Sequence, residues 1–283
     1  MPDGLEAVQK ALRELNKSLK GLPKHPLPKQ VHKLRTSARR VEAIAAAVPR
    51  AKKKKSRRLV QSIEPLRKAA GSVRDMDVLE ANLRKLSRES AGDSLARLID
   101  HLQSVRASSA KDLYRAFERK RKAARHKLKK FARQVQAAWP SNGASAHAAV
   151  QPAHARNGKH GNGANPTAKH LASALAGWPP LDEQDIHEFR VKIKELRYIL
   201  QLDAKSDPDF VAALGSAQRL IGEWHDWQQL AEMAQEFLEP EQDQQLLARI
   251  DETKQKKFMR ALTAANALRR QYLTSTIPHI PGC

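Results

Sequence analysis

The sequence predicts an all-α protein built as two four-helix bundles, and three observations carry that expectation. The residues that dominate, Ala, Leu, Arg, Lys, Gln and Glu, all favour helix, while aromatic residues make up only 5%. Apolar residues recur at helical spacing almost everywhere, and no period-2 alternation of the kind a half-buried strand needs is present. A motif order also occurs twice, about 155 residues apart, which marks an internal duplication.

Leu5, Val8, Leu12, Leu15 and Leu19 form a stripe that predicts a first helix over 4–20. Gly21 to Pro28, rich in Pro and Gly, interrupts it. Val31, Leu34, Ala38, Val41, Ala45 and Val48 then predict a helix over 28–48. Further helices are expected over 52–70, 72–89 and 94–138, with Gly71 marking either an end or a kink within one longer helix. Residues 139–166 change character: Pro140, Gly143, Gly158, Gly161, Gly163 and Pro166 crowd there with little large apolar content, the composition of a flexible linker. His147, His154 and His160 lie in it at irregular spacing and read as solvated loop residues. Beyond the linker, helices over 168–177, 182–202, 209–238 and 240–274 repeat the first-half order. The expected organisation is therefore a first bundle over 1–138, a linker over 139–166 and a second bundle over 167–283.

Charge is placed unevenly. The chain carries a formal +22, but residues 1–138 hold 36 basic and 13 acidic residues against 16 and 17 in 139–283. Such a field in the first half attracts polyanions: nucleic acid, an anionic membrane or polyphosphate. The one cysteine, Cys283, offers no internal disulfide, which fits a reducing compartment. No apolar run approaches the roughly 18 residues of a membrane span, so a cytoplasmic protein is expected, with no membrane partner.

The duplicated motif concentrates cations. Its first copy is His32-x-x-Arg35-x3-Arg39-Arg40, followed by Gly71-x-x-Arg74-Asp75. Its second is His187-x-x-Arg190-x3-Lys194-x2-Arg197, followed by Gly222-x-x-His225-Asp226. On a helix, His32, Arg35 and Arg39 fall within about 60° of one another, and His187, Arg190, Lys194 and Arg197 within about 80°. The apolar stripe of Val31, Leu34, Ala38 and Val41 is rotated about 100° from the first row, which puts the cations at the edge of the core-facing side. Any one of these arginines reads equally as a surface residue lying over apolar neighbours. Two matching rows point instead to a ligand whose oxygens suit planar guanidinium donors. Asp75 and Asp226 read as caps or as carboxylates that orient a neighbouring cation; their spacing to His32 and His187 matches no strong metal motif. The run Lys52-Lys53-Lys54-Lys55-Ser56-Arg57-Arg58 and the cations between Arg115 and Arg133 read as polyanion contacts or as solvated faces. No phosphate-cradling glycine loop, nucleophile elbow or zinc motif is present, so neither a catalytic residue nor a cofactor is expected.

These motifs, in this order and spacing, resemble the CHAD family, the conserved histidine α-helical domain. The carrying residues are Val31-His32-x-x-Arg35-x3-Arg39-Arg40, Gly71-x-Val73-Arg74-Asp75-x-Asp77-Val78, His187-x-x-Arg190-x3-Lys194-x2-Arg197-Tyr198 and Gly222-x-x-His225-Asp226. The resemblance implies two four-helix bundles related by pseudo-twofold symmetry, with a basic surface or pore between them. It also implies binding of inorganic polyphosphate without catalysis, and targeting to polyphosphate granules. Carried over residue by residue, it implies a binding set of His32, Arg35, Arg39, Arg40, Arg74, His187, Arg190, Lys194, Arg197 and His225. Glu42 departs from the pattern, because it stands where the second copy has Arg197. Nucleic acid binding and metal-assisted phosphohydrolysis through His32, His187, His225 and Asp226 are the alternatives. The low aromatic content offers little for stacking bases.

Overall fold

The computed structural model describes residues 4–46, 53–86, 92–138, 166–201 and 206–273, and among them every regular element is helical. The helices are α1 (Gly4–Ser18), α2 (Pro28–Ala46), α3 (Lys53–Leu86), α4 (Asp93–Ala138), α5 (Pro166–Ala176), α6 (Ile186–Gln201), α7 (Pro208–Phe237) and α8 (Gln244–Leu268). A π-helical turn, Arg269–Leu273, follows α8. The chain divides into two compact units, Met1–Arg84 with Ile99–Gly158, and Lys85–Leu98 with Lys159–Cys283. The linker expected over 139–166 falls outside the described residues except for Pro166, which opens α5.

In the first unit the predicted stripes are the core. Leu12, Leu15 and Leu19 pack with Val31, Leu34, Ala38, Val41 and Ala45, and with Leu59, Ile63, Leu66 and Val73 of α3 and Leu113, Phe117, Leu128 and Phe131 of α4. The entry to α2 is fixed locally. Pro28 occupies the first helical position, the Gln30 and Val31 amides donate to the Leu27 carbonyl, and the Leu27 amide donates to the Gln30 side chain. The interval 53–86 is one helix, so Gly71 does not end it. Gly71 lies buried between the core residues Ala70 and Val73, and the burial of Leu59, Ile63, Leu66 and Val73 along the same helix offsets the roughly 1 kcal/mol that glycine costs in a helix interior. Asp77 is also buried, and its carboxylate takes the Arg106 Nε of α4 at 2.6 Å; Arg106 reaches on to the Pro26 carbonyl.

The second unit has its own core of Leu171, Leu175, Ile186, Phe189, Ile193, Leu196, Leu214, Ile221, Trp224, Phe258, Ala261 and Leu268. Two helices start later than their apolar pattern suggests, for one reason: an aspartate captures the amides just before them. Asp182 accepts from the Gln184 and Asp185 amides, so 183–185 form a turn and α6 begins at Ile186. Asp243, fully buried, accepts from the Glu239 amide, and α8 begins at Gln244. The same carboxylate takes the Arg97 guanidinium at 2.5 Å, which fastens the opening of α4 to this unit. A hydrogen bond from Ser94, aided by Arg97, holds the Asp243 carboxyl below its ordinary value. At the far end Arg269 donates to the carbonyls of Ala176, Trp178 and Pro179, a cationic cap on the C-terminus of α5. No described helix is long and apolar enough to cross a membrane.

Candidate polyanion site

In each unit an arginine of one helix passes over a glycine of its neighbour. Arg190 of α6 runs over Gly222 of α7; a methyl group there would sit 3.1 Å from the arginine Nη2. One heptad away on both helices, Arg197 runs over Gly215, where a methyl would be 3.3 Å from Cζ. Arg197 also donates from Nη1 to Gln218 Oε1 at 3.1 Å, and its Nε is buried with no hydrogen-bond partner among the described residues. In the first unit the Arg35 Nε lies 3.7 Å from the methyl position of Gly71 on α3. The glycine that opens the second half of each motif is thus the floor under the arginine of the first half. A glycine costs helix stability, and Gly222 and Gly215 leave room that the guanidiniums of Arg190 and Arg197 occupy.

The first row gathers His32, Arg35 and Arg39 on α2 and Arg74 on α3. His32 and Arg39 are exposed, Arg35 and Arg74 partly covered. Asp75 pairs with Arg35 at 3.6 Å. Crowding leaves a mark on the titrating groups. Partial burial first, then the charges of Arg74, Arg35 and Arg40, push the His32 imidazole below its ordinary value. Burial and the neighbouring Arg39 lower Arg35 as well, with Asp75 opposing them. The cations therefore repel one another, and a bound anion would relieve that repulsion. Arg40 is drawn aside: its guanidinium is 2.9 Å from Glu14 of α1.

The second row gathers His187, Arg190, Lys194 and Arg197 on α6 and His225 on α7. The His187 and His225 rings lie 5.0 Å apart, inclined at 53°. Burial, then His187 and Arg190, lower the His225 pKa; Glu232 and Gln228 act in the other direction. The Lys194 ammonium is 6.0 Å from the ring centroid of Tyr198, a half-exposed aromatic. Asp226 is partly buried on α7, one residue past His225.

Sequence reasoning missed the partner of Glu42. Arg67 of α3 meets Glu42 through Nε, 2.6 Å from Oε2 and 2.9 Å from Oε1. By motif spacing Glu42 corresponds to Arg197 and Arg67 to Gln218. The same cross-helix contact is kept with its polarity exchanged, and in the first unit its cation is neutralised. Gly215 and Gln218 were missed too; the signal was present, since Gly215 precedes Gly222 by the seven residues that separate Arg190 from Arg197. Among the described residues no group of three or more His, Cys, Asp or Glu is placed to hold a metal ion.

The family model of the CHAD domain matches residues 6–235. The chain belongs to the CHAD domain family. The match takes in both rows, α2 to α6 and nearly all of α1 and α7, and stops short of α8 and the π-helical turn of this CHAD domain. No curated protein and no solved structure matches the chain.

Proposed function

We propose that this CHAD domain binds inorganic polyphosphate without catalysis, through the row His32, Arg35, Arg39 and Arg74 and the row His187, Arg190, Lys194, Arg197 and His225. The observation that carries the reading is the pair of arginines laid over glycines, Arg35 on Gly71 and Arg190 on Gly222, each beside a histidine whose row is crowded with cations. Guanidinium groups that are held in place and partly dehydrated make stronger, better-directed contacts to phosphate oxygens than free surface lysines do. The family's association with polyphosphate binding supports the same ligand. Polyphosphate has no bases, so its site needs repeated cations and no stacking platform; the rows supply cations with Tyr198 as their one half-exposed aromatic. Binding of this kind would bring the protein to polyphosphate granules in the cytoplasm.

The test is a competition. Labelled long-chain polyphosphate bound to the protein is displaced by unlabelled polyphosphate, single-stranded DNA or RNA of matched charge, with released phosphate followed in parallel with and without divalent metal. Preferential displacement by polyphosphate and constant free phosphate are expected. Stronger displacement by nucleic acid would transfer the site to that ligand, and steady phosphate release would make the protein a hydrolase.

A further inference from the structure

Between Lys111 and Arg133 the cations of α4 occupy much of the helix circumference, and the structure sorts them. Arg121 and Arg125 are partly covered and turn back to the first unit: Arg121 meets Glu118 and the Lys20 carbonyl, Arg125 the Asn16 side chain. Lys111, Arg115, Arg119, Lys122, His126, Lys129, Lys130 and Arg133 are all exposed. They lie within about 100° of one another, and the buried residues Leu113, Phe117, Ala124, Leu128 and Phe131 occupy the opposite side. At 1.5 Å per residue the stripe is about 33 Å long.

Its charge is largely uncompensated. Arg115 has Asp112 at 3.3 Å, but no described carboxylate pairs with Arg119, Lys122, Lys129, Lys130 or Arg133. Helix α8 shows the ordinary alternative: Lys254 pairs with Asp251, Lys256 with Glu252 and Lys257 with Glu223. A helix face that is merely kept soluble needs no such excess of one sign.

We infer that the solvent face of α4 is a second track for polyphosphate, outside the two rows; this rests on the polyphosphate reading above. Three features select the occupant. No large apolar side chain of α4 is exposed, so nothing would insert into a membrane. The stripe exposes no Phe, Tyr or Trp, so single-stranded nucleic acid would gain little beyond phosphate contacts. The face is the outer side of one continuous helix, so the phosphates of a stiff duplex would spiral away from it, whereas a flexible chain can follow it end to end. The contacts would be exposed and screened, adding affinity in proportion to the length of chain engaged.

The experiment compares three proteins: wild type, the stripe variant Lys122→Gln/Lys129→Gln/Arg133→Gln, and a control, Lys10→Gln/Arg13→Gln/Lys17→Gln, that removes equal charge from exposed positions of α1. Each is titrated with triphosphate, long-chain polyphosphate, single-stranded DNA and anionic phospholipid vesicles at several salt concentrations. The stripe variant should lose on the order of tenfold in affinity for the long chain, with a shallower salt slope, and bind triphosphate unchanged. The control should lose much less. Equal losses in stripe and control variants, or an unchanged long-chain affinity, would overturn the second track while leaving the rows in place. A selective loss of DNA or vesicle binding with polyphosphate unaffected would overturn it in favour of that ligand. A wild type that binds no polyphosphate would instead sink the functional reading itself.

Discussion

The two rows share a scaffold and differ in who supplies the last cation. In the second unit Arg197 comes from α6, lies over Gly215 and is steadied by the neutral Gln218. In the first unit the corresponding position is Glu42, and the cation, Arg67, comes from the opposite helix and is consumed by that glutamate. Arg35 also carries a carboxylate neighbour, Asp75. The first row is thus partly compensated, although it sits in the half of the chain that holds 36 of the 52 basic residues. The difference separates two jobs that net charge alone would merge. The basic half would provide long-range attraction, which salt screens, whereas short-range grip would depend on how each guanidinium is positioned and on the carboxylates beside it.

The largest effect is expected in the second row, where the neutral Gln218 rather than a glutamate meets the last cation. Arg190→Ala/Arg197→Ala should weaken long-chain polyphosphate binding by on the order of 1.5–3 kcal/mol per lost contact, with circular dichroism unchanged. Unaltered affinity in the folded variant would remove the second row from the site.

Next comes the floor beneath the arginines. Gly222→Ala puts a methyl 3.1 Å from Arg190 Nη2, so the guanidinium must move, while the helix gains up to about 1 kcal/mol of propensity. Gly71→Ala meets Arg35 at 3.7 Å, an ordinary contact, and should leave it in place. Affinity should therefore fall several-fold for Gly222→Ala and stay constant for Gly71→Ala, with neither losing much thermal stability. Equal effects at the two glycines would break the comparison.

Much of this was legible in the sequence. The stripes Leu12/Leu15/Leu19 and Val31/Leu34/Ala38/Val41 are core as their spacing required, because burying one helix face is a local demand. The paired motifs put Arg35 with Gly71 and Arg190 with Gly222, though only packing revealed that these residues touch. Other features depend on how distant segments meet. The Glu42–Arg67 pair needs the register of α2 against α3, and the Asp243–Arg97 pair joins residues 146 apart in the chain. The α4 cations were visible as a cluster, but only burial tells which of them face solvent.

A smaller change sharpens the contrast between the rows. Glu42→Gln should free Arg67 and make the first row resemble the second, raising polyphosphate affinity a few-fold. The pair's side chains are only about a fifth exposed (23% and 19%), so stability should fall by about 1–2 kcal/mol, between the values for exposed and buried pairs. Calorimetry and thermal melts on one sample report both signs; lower affinity would mean that Glu42 positions rather than neutralises Arg67.

The smallest effect is the pH response. Burial and neighbouring cations lower the pKa values of His32 and His225 in the free protein, which favours their neutral forms. A bound polyanion favours the protonated form and raises those values. Affinity should then rise as pH falls through the bound-state pKa and level off below the lower, free-state pKa. His32→Ala/His225→Ala should flatten this rise. A slope that persists in the double variant would assign it to other groups.

The most direct test of the central claim is a calorimetric titration of long-chain polyphosphate into wild type and Arg35→Ala/Arg39→Ala, repeated between about 50 and 200 mM salt. Log affinity should fall linearly with log salt for both proteins, and the variant should bind more weakly with a shallower slope. Affinity and slope identical in variant and wild type, or no binding even at the lowest salt, would contradict it.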